Sequence, residues 1–98
     1  MRILKFRLER KANPNGKIVC VSGDVLNGVI FDIKICGDFF LFPNEKIVDL
    51  ENGIKGLAPD YDVLLKVISE VVCDAYVMGF TPKDLSEIIC EACNKDKE

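Results

Sequence analysis

Ninety-eight residues suffice for one domain with a real core but not for two. A composition that is 49% hydrophobic and 30% charged excludes a disordered chain, and a net charge of −3 without a basic stripe argues against nucleic acid. Histidine is absent, so Ser-His-Asp and Cys-His arrangements are excluded, and any catalysis would fall to carboxylates, Lys, Tyr or Cys.

Leu4, Phe6 and Leu8 alternate with Lys5, Arg7 and Glu9, the pattern of a strand with one buried face. Asn13-Pro14-Asn15-Gly16 is a turn. From Lys17 a second strand carries Val19, Val21 and Val25 on one face, and Asn27-Gly28 marks the next turn. A third strand then places Val29, Phe31, Ile33 and Ile35 on one face. A three-residue loop, Leu26-Asn27-Gly28, pairs Val25 with Val29, Val21 with Ile33 and Val19 with Ile35. That register keeps every apolar residue on a single side, because a one-residue slip inverts a strand. Val21, Phe31 and Ile33 are then expected to point toward the helices.

After Pro43 the period becomes helical. Pro43-Asn44-Glu45-Lys46 suits a first turn, Ile47, Leu50 and Ile54 follow, and Gly56 ends the helix. Asp60 or Asp62 caps a second helix, whose stripe of Val63, Leu64, Val67, Ile68, Val71, Val72 and Ala75 runs on until Gly79. Thr81-Pro82-Lys83-Asp84 opens a third, with Leu85, Ile88, Ile89, Ala92 and Cys93 facing inward. Three strands followed by three helices predict an α+β domain, an antiparallel meander with helices packed on one face. The expected domain covers residues 1–94, and 95–98 form a charged tail. No apolar run is long enough for a membrane span and the amino terminus lacks a signal-peptide core, so a cytoplasmic protein with no membrane partner is expected. The five cysteines, an odd number, read as free thiols.

Few residues carry chemistry. Cys90-Glu91-Ala92-Cys93 is a lone CxxC inside a helix, and without a second pair it predicts no zinc. Cys36, beside Gly37, lies on the strand face opposite Ile33 and Ile35. Asn13 to Lys17 lacks the spacing and the following helix of a phosphate-binding loop. The sharpest feature is Gly37-Asp38-Phe39-Phe40, where a strand runs into a glycine, a carboxylate and two aromatics just before Pro43 opens a helix. It reads either as a turn with aromatics filling the core or as an exposed docking corner. No second acid has a defined place near Asp38, so no catalytic residue is assigned.

Gly16-Lys17, Asn27-Gly28-Val29-Ile30, Gly37 through Glu45, Leu50-Glu51 and Gly56 together resemble the small C-terminal domain of lipoate–protein ligases. The resemblance is closest to the separate accessory chain of split, archaeal-type ligases. Phe42 and Asn44 stand where that family more often has His and Glu. The resemblance implies a fold similar to iron–sulfur scaffold and sulfur-acceptor proteins. It also implies a non-catalytic subunit that binds no cofactor or metal alone and partners a large catalytic chain. That chain binds lipoate and ATP, forms lipoyl-AMP and lipoylates an acceptor protein. Lys17, Gly37, Asp38, Phe39 and Phe40 are then the corner that meets the large chain. Two other readings compete: an iron–sulfur or sulfur-transfer scaffold using Cys36, Cys73, Cys90 and Cys93, and a free-standing small-molecule binding domain.

Overall fold

The computed structural model describes residues 3–95. β1 (Ile3–Lys11), β2 (Ile18–Leu26) and β3 (Val29–Gly37) form an antiparallel sheet in that order. α1 (Lys46–Ile54), α2 (Tyr61–Val72) and α3 (Pro82–Lys95) cover one face of it. α1 lies on β3, α3 crosses β1 and β2, and α2 packs against both of the other helices. The expected α+β meander with helices on one side is therefore the observed fold. Residues 96–98 of the expected charged tail lie outside the described residues, and Lys95 belongs to α3.

The β2–β3 register differs from expectation. The loop is the two residues Asn27 and Gly28, both at positive φ (53° and 86°), the combination that matches strand twist in a tight hairpin. Leu26 faces Val29 and Val25 faces Ile30, not Val29. A bulge then leaves Phe31 unpaired, so Val21 meets Ile35 and Val19 meets Gly37. The extra residue restores parity: Ile30, Ile33 and Ile35 all point inward beside Val19, Val21 and Val25, and all are buried. Phe31, expected inward, is 62% exposed, and Val29 is exposed too. Gly23 permits this distortion. The bulged backbone at Asp32 comes so close that a Cβ on Gly23 would collide with the Asp32 carbonyl. Buried Phe6, opposite Gly23 on β1, covers the gap left on the core face.

β3 is an edge strand whose free side is closed by the chain that follows. The Glu51 carboxylate of α1 accepts a hydrogen bond from the Ile35 N–H at 2.9 Å. Ile30 donates to the Leu57 carbonyl at 2.8 Å and accepts from Gly56 N–H at 2.7 Å. These bonds satisfy edge groups that would otherwise invite another strand.

α2 and α3 start as the sequence predicts, whereas α1 begins at Lys46, after a turn at Asn44–Glu45 and without a side-chain cap, and not at Pro43. The Asp60 carboxylate accepts from Val63 N–H at 3.1 Å, making Asp60 the cap of α2. At α3 the capping is reciprocal: Thr81 Oγ1 accepts from Asp84 N–H, and the Asp84 carboxylate accepts from Thr81 N–H. α2, however, ends at Val72 and does not run to Gly79. Tyr76–Met78 forms a short strand, β5, which pairs antiparallel with β4 (Phe40–Phe42). Three residues per strand are too few to establish a period, while Val71, Val72 and Ala75 extend the apparent helical stripe. The aromatic and β-branched pair Tyr76-Val77 favours extension once the helix has closed.

The core lies between sheet and helices. Leu50 and Ile54 of α1, Leu64 and Ile68 of α2, and Leu85, Ile88 and Ile89 of α3 are fully buried there. Ser86, also buried, donates its hydroxyl to the Pro82 carbonyl at 2.8 Å, so its polarity is satisfied within α3.

Candidate functional site

The five residues expected at the corner converge, but they divide into support and surface. Gly37 ends β3 at φ 149°, and a Cβ there would run into the Ile18 carbonyl, so the close strand crossing requires glycine. Asp38 N–H donates to that same carbonyl at 2.9 Å, which fixes the Asp38 backbone at the strand end. Lys17 N–H donates to the Gly79 carbonyl at 3.0 Å, so the start of β2 is joined to the end of β5. A Cβ on Gly79 would lie 2.9 Å from both Lys17 Cγ and Phe39 Cβ, which shows how tightly those two side chains close over it. The turn before Lys17 is anchored as well. Asn13 Nδ2 donates to the Asp84 carboxylate at 2.7 Å, linking the turn to the cap of α3.

Phe39 is half-buried and meets Phe80 edge to face, with centroids 4.9 Å apart and planes at 86°. It is an internal anchor. Asp38 and Lys17 are exposed, and neither charged end makes an ion pair among the described residues. Phe40 faces solvent and touches Tyr76, with centroids 5.8 Å apart.

β4 and β5 enlarge this surface. Phe40 pairs with Met78 and Phe42 with Tyr76. All four lie on the outer side of the ribbon and are at least half exposed, while Leu41 between them is buried and Val77 packs against the core. Tyr76 and Met78 were not singled out by sequence reasoning, and Phe42 was noted only as a departure from the family pattern. Their signal was a three-residue alternation in each strand, legible only once the two strands are known to pair. A shallow cleft of about 290 Å³ runs beside the ribbon, lined by Gly37, Phe39, Phe40, Leu41, Asn44 and Ile47, with Cys36 at its edge. A wider trough of about 590 Å³ crosses the outer sheet face among Lys5, Arg7, Asp24, Asp32 and Lys34. There Asp24 and Asp32 oppose each other, and Lys5 and Lys55 neutralise them at 3.2 and 3.5 Å. That trough is open to solvent, and the charged side chains along it are largely paired with one another.

An ion pair braces the ribbon. Lys46 Nζ, at the start of α1, sits 2.7 Å from the carboxylate of Asp74, just before β5. The hydrogen bond from Lys46 holds the Asp74 carboxyl below its ordinary range, and the same bond pushes the Lys46 ammonium above its own.

The cysteines that the competing scaffold reading would use lie on different elements. Cys73 is exposed at the end of α2, Cys93 is buried in α3, and Cys90 donates its thiol to the Pro59 carbonyl at 3.7 Å. Burial raises the Cys90 thiol pKa, with the Asp60 charge adding to it. Cys36 is exposed as expected and faces Cys20 across the strands. Among the described residues no group of three or more His, Cys, Asp or Glu side chains could hold a metal ion.

With this geometry in place, comparison with known proteins identifies the lineage. A family model described as the bacterial lipoate protein ligase C-terminus matches residues 4–89, from β1 to the middle of α3. The chain belongs to that family. A solved structure of a lipoylation system from the archaeon Thermoplasma acidophilum contains a chain with the same fold. Its description is a bi-partite lipoate protein ligase and its E2 lipoyl domain. The TM-score is 0.71 at 23% identity, covering 88% of this chain and 97% of that one. A search of functionally curated proteins gives no match. The matched residues span the whole corner and the ribbon. Among the described residues no helix is long and apolar enough to cross a membrane.

Proposed function

We propose that this ligase C-terminal-family chain is the non-catalytic accessory subunit of a two-chain lipoate–protein ligase acting in the cytoplasm. Its partner is a large catalytic chain that uses ATP to convert lipoate to lipoyl-AMP and then modifies an acceptor protein. The observation that carries this reading is the outer face of the β4–β5 ribbon. Phe40, Phe42, Tyr76 and Met78 form one contiguous, solvent-facing apolar surface. Contiguous exposed apolar patches mark interfaces, and aromatics and Met are enriched at interface cores. Membership of the ligase C-terminus family and the likeness to a chain of a bi-partite lipoate protein ligase system support a partner ligase chain. Asp38 and Lys17 flank the patch, with charged ends available to polar groups at the partner's rim.

The test is lipoate-dependent ATP–pyrophosphate exchange with the large chain, in the presence and absence of this one. Exchange that needs both chains, together with co-elution, is the expected result. Equal exchange by the large chain alone would reject the accessory role. Alanine at Asp38 or Lys17 is expected to leave the isolated fold intact and lower exchange at subsaturating concentrations of this subunit.

A further inference from the structure

We propose that Cys20 and Cys36 form a dithiol site that reacts with small disulfides and closes into a disulfide between β2 and β3. The two residues oppose each other directly in the antiparallel pair. Asp38 N–H bonds to the Ile18 carbonyl two positions further along, which sets the alternation and makes Cys20–Cys36 a hydrogen-bonded pair. Such pairs hold their Cα atoms about 5.5 Å apart. That separation falls within the range a disulfide spans. Both side chains point to the face opposite the helices, among Arg7, Glu9, Ser22 and Lys34. Cys36 is exposed and Cys20 half-buried, so a small reagent can reach the pair.

The chemistry divides by exposure. Cys36 loses its proton to water, and its thiolate attacks one sulfur of a small disulfide. The S–S bond of the reagent breaks, and the leaving thiolate takes a proton from solvent. Burial, reinforced by the neighbouring Cys36, raises the pKa of the Cys20 thiol, with Arg7 opposing in part, so Cys20 reacts second. It gives its proton to solvent and displaces the second thiolate from Cys36. Two protein thiols are oxidised by two electrons, and one small disulfide becomes two thiols. Closure would staple the strands beside Gly37, where the Asp38 corner begins. This site stands on strand register alone and does not depend on the ligase reading.

The probe is 2-hydroxyethyl disulfide, applied to the full chain carrying Cys73→Ser, followed by alkylation and mass spectrometry. The expected product is lighter by two hydrogens, with tryptic peptides 18–34 and 35–46 joined until reduced. Cys20→Ser in the same background is expected to keep a stable mixed disulfide on Cys36. If Cys73→Ser impairs folding, the wild-type chain gives the same joined peptides with an adduct on Cys73. Separate adducts or unreacted thiols at Cys20 and Cys36, with no joined peptides in the folded chain, would overturn the proposal. So would joined peptides that form only after unfolding in urea.

Discussion

Two adjacent aromatics at the corner have different tasks, and substitution separates them. Phe39 packs on Phe80, so Phe39→Ala is expected to lower stability by about 2–3 kcal/mol in thermal or denaturant unfolding. Phe40 stands in solvent, and Phe40→Ala is expected to cost under about 1 kcal/mol of stability. Its effect belongs in the complex, where affinity for the large chain should fall at least tenfold, about 1.4 kcal/mol, by calorimetry or surface binding. Equal loss of stability in both variants would rule out this division. Gly37→Ala is expected to cost at least about 2 kcal/mol, since its φ and the Ile18 carbonyl both oppose a Cβ. The sequence named this corner because a glycine, an acid and two aromatics stood together where the period changed. It left open which ring points inward, because that depends on Phe80, distant in sequence and brought close only by β5.

At the scale of elements, strand and helix existence was legible wherever an element was long, and register was not. The argument for β2–β3 required Val29, Phe31, Ile33 and Ile35 on one face, whereas a tight turn plus a bulge turns Ile30, Ile33 and Ile35 inward and leaves Val29 and Phe31 exposed. No local pattern distinguishes the two solutions; the close approach at Gly23 does. The ribbon was missed for want of length. Its brace makes a prediction of its own. The Asp74 carboxyl is held below its ordinary value of 3.8, so the pair's contribution is present above the unfolded carboxylate range and fades as pH falls through the folded value. Lys46 is raised above 10.5, so at the alkaline end the contribution fades as pH rises through that raised value. Carboxyl-detected NMR should find Asp74 titrating below 3.8 in the native chain and near it in Lys46→Met. Both groups reach solvent, so the effect on overall stability is small and screened by salt. The β3 edge supplies another test. Glu51→Ala should speed amide exchange at Ile35 more than at Ile30, whose bonds to Gly56 and Leu57 remain.

For the whole molecule, the distribution of surface chemistry decides what the chain can do. One sheet face is covered by helices, the other carries charged side chains with Ile3, Val29 and Phe31 exposed on the sheet's strands, and four half-exposed apolar side chains lie together on the small ribbon. That ribbon is built from segments far apart in the chain, with α1 and α2 between them. Contacts of such separation form late, after the intervening loop has been closed at an entropic cost. The three-stranded meander can assemble from neighbouring segments, whereas the Phe40–Tyr76 surface exists only once α2 has docked and returned the chain to β4. Binding by the large chain would thus act as a proofreading step during biogenesis. A truncated or stalled chain would present half a ribbon and fail to be recruited, and only finished subunits would enter the ligase.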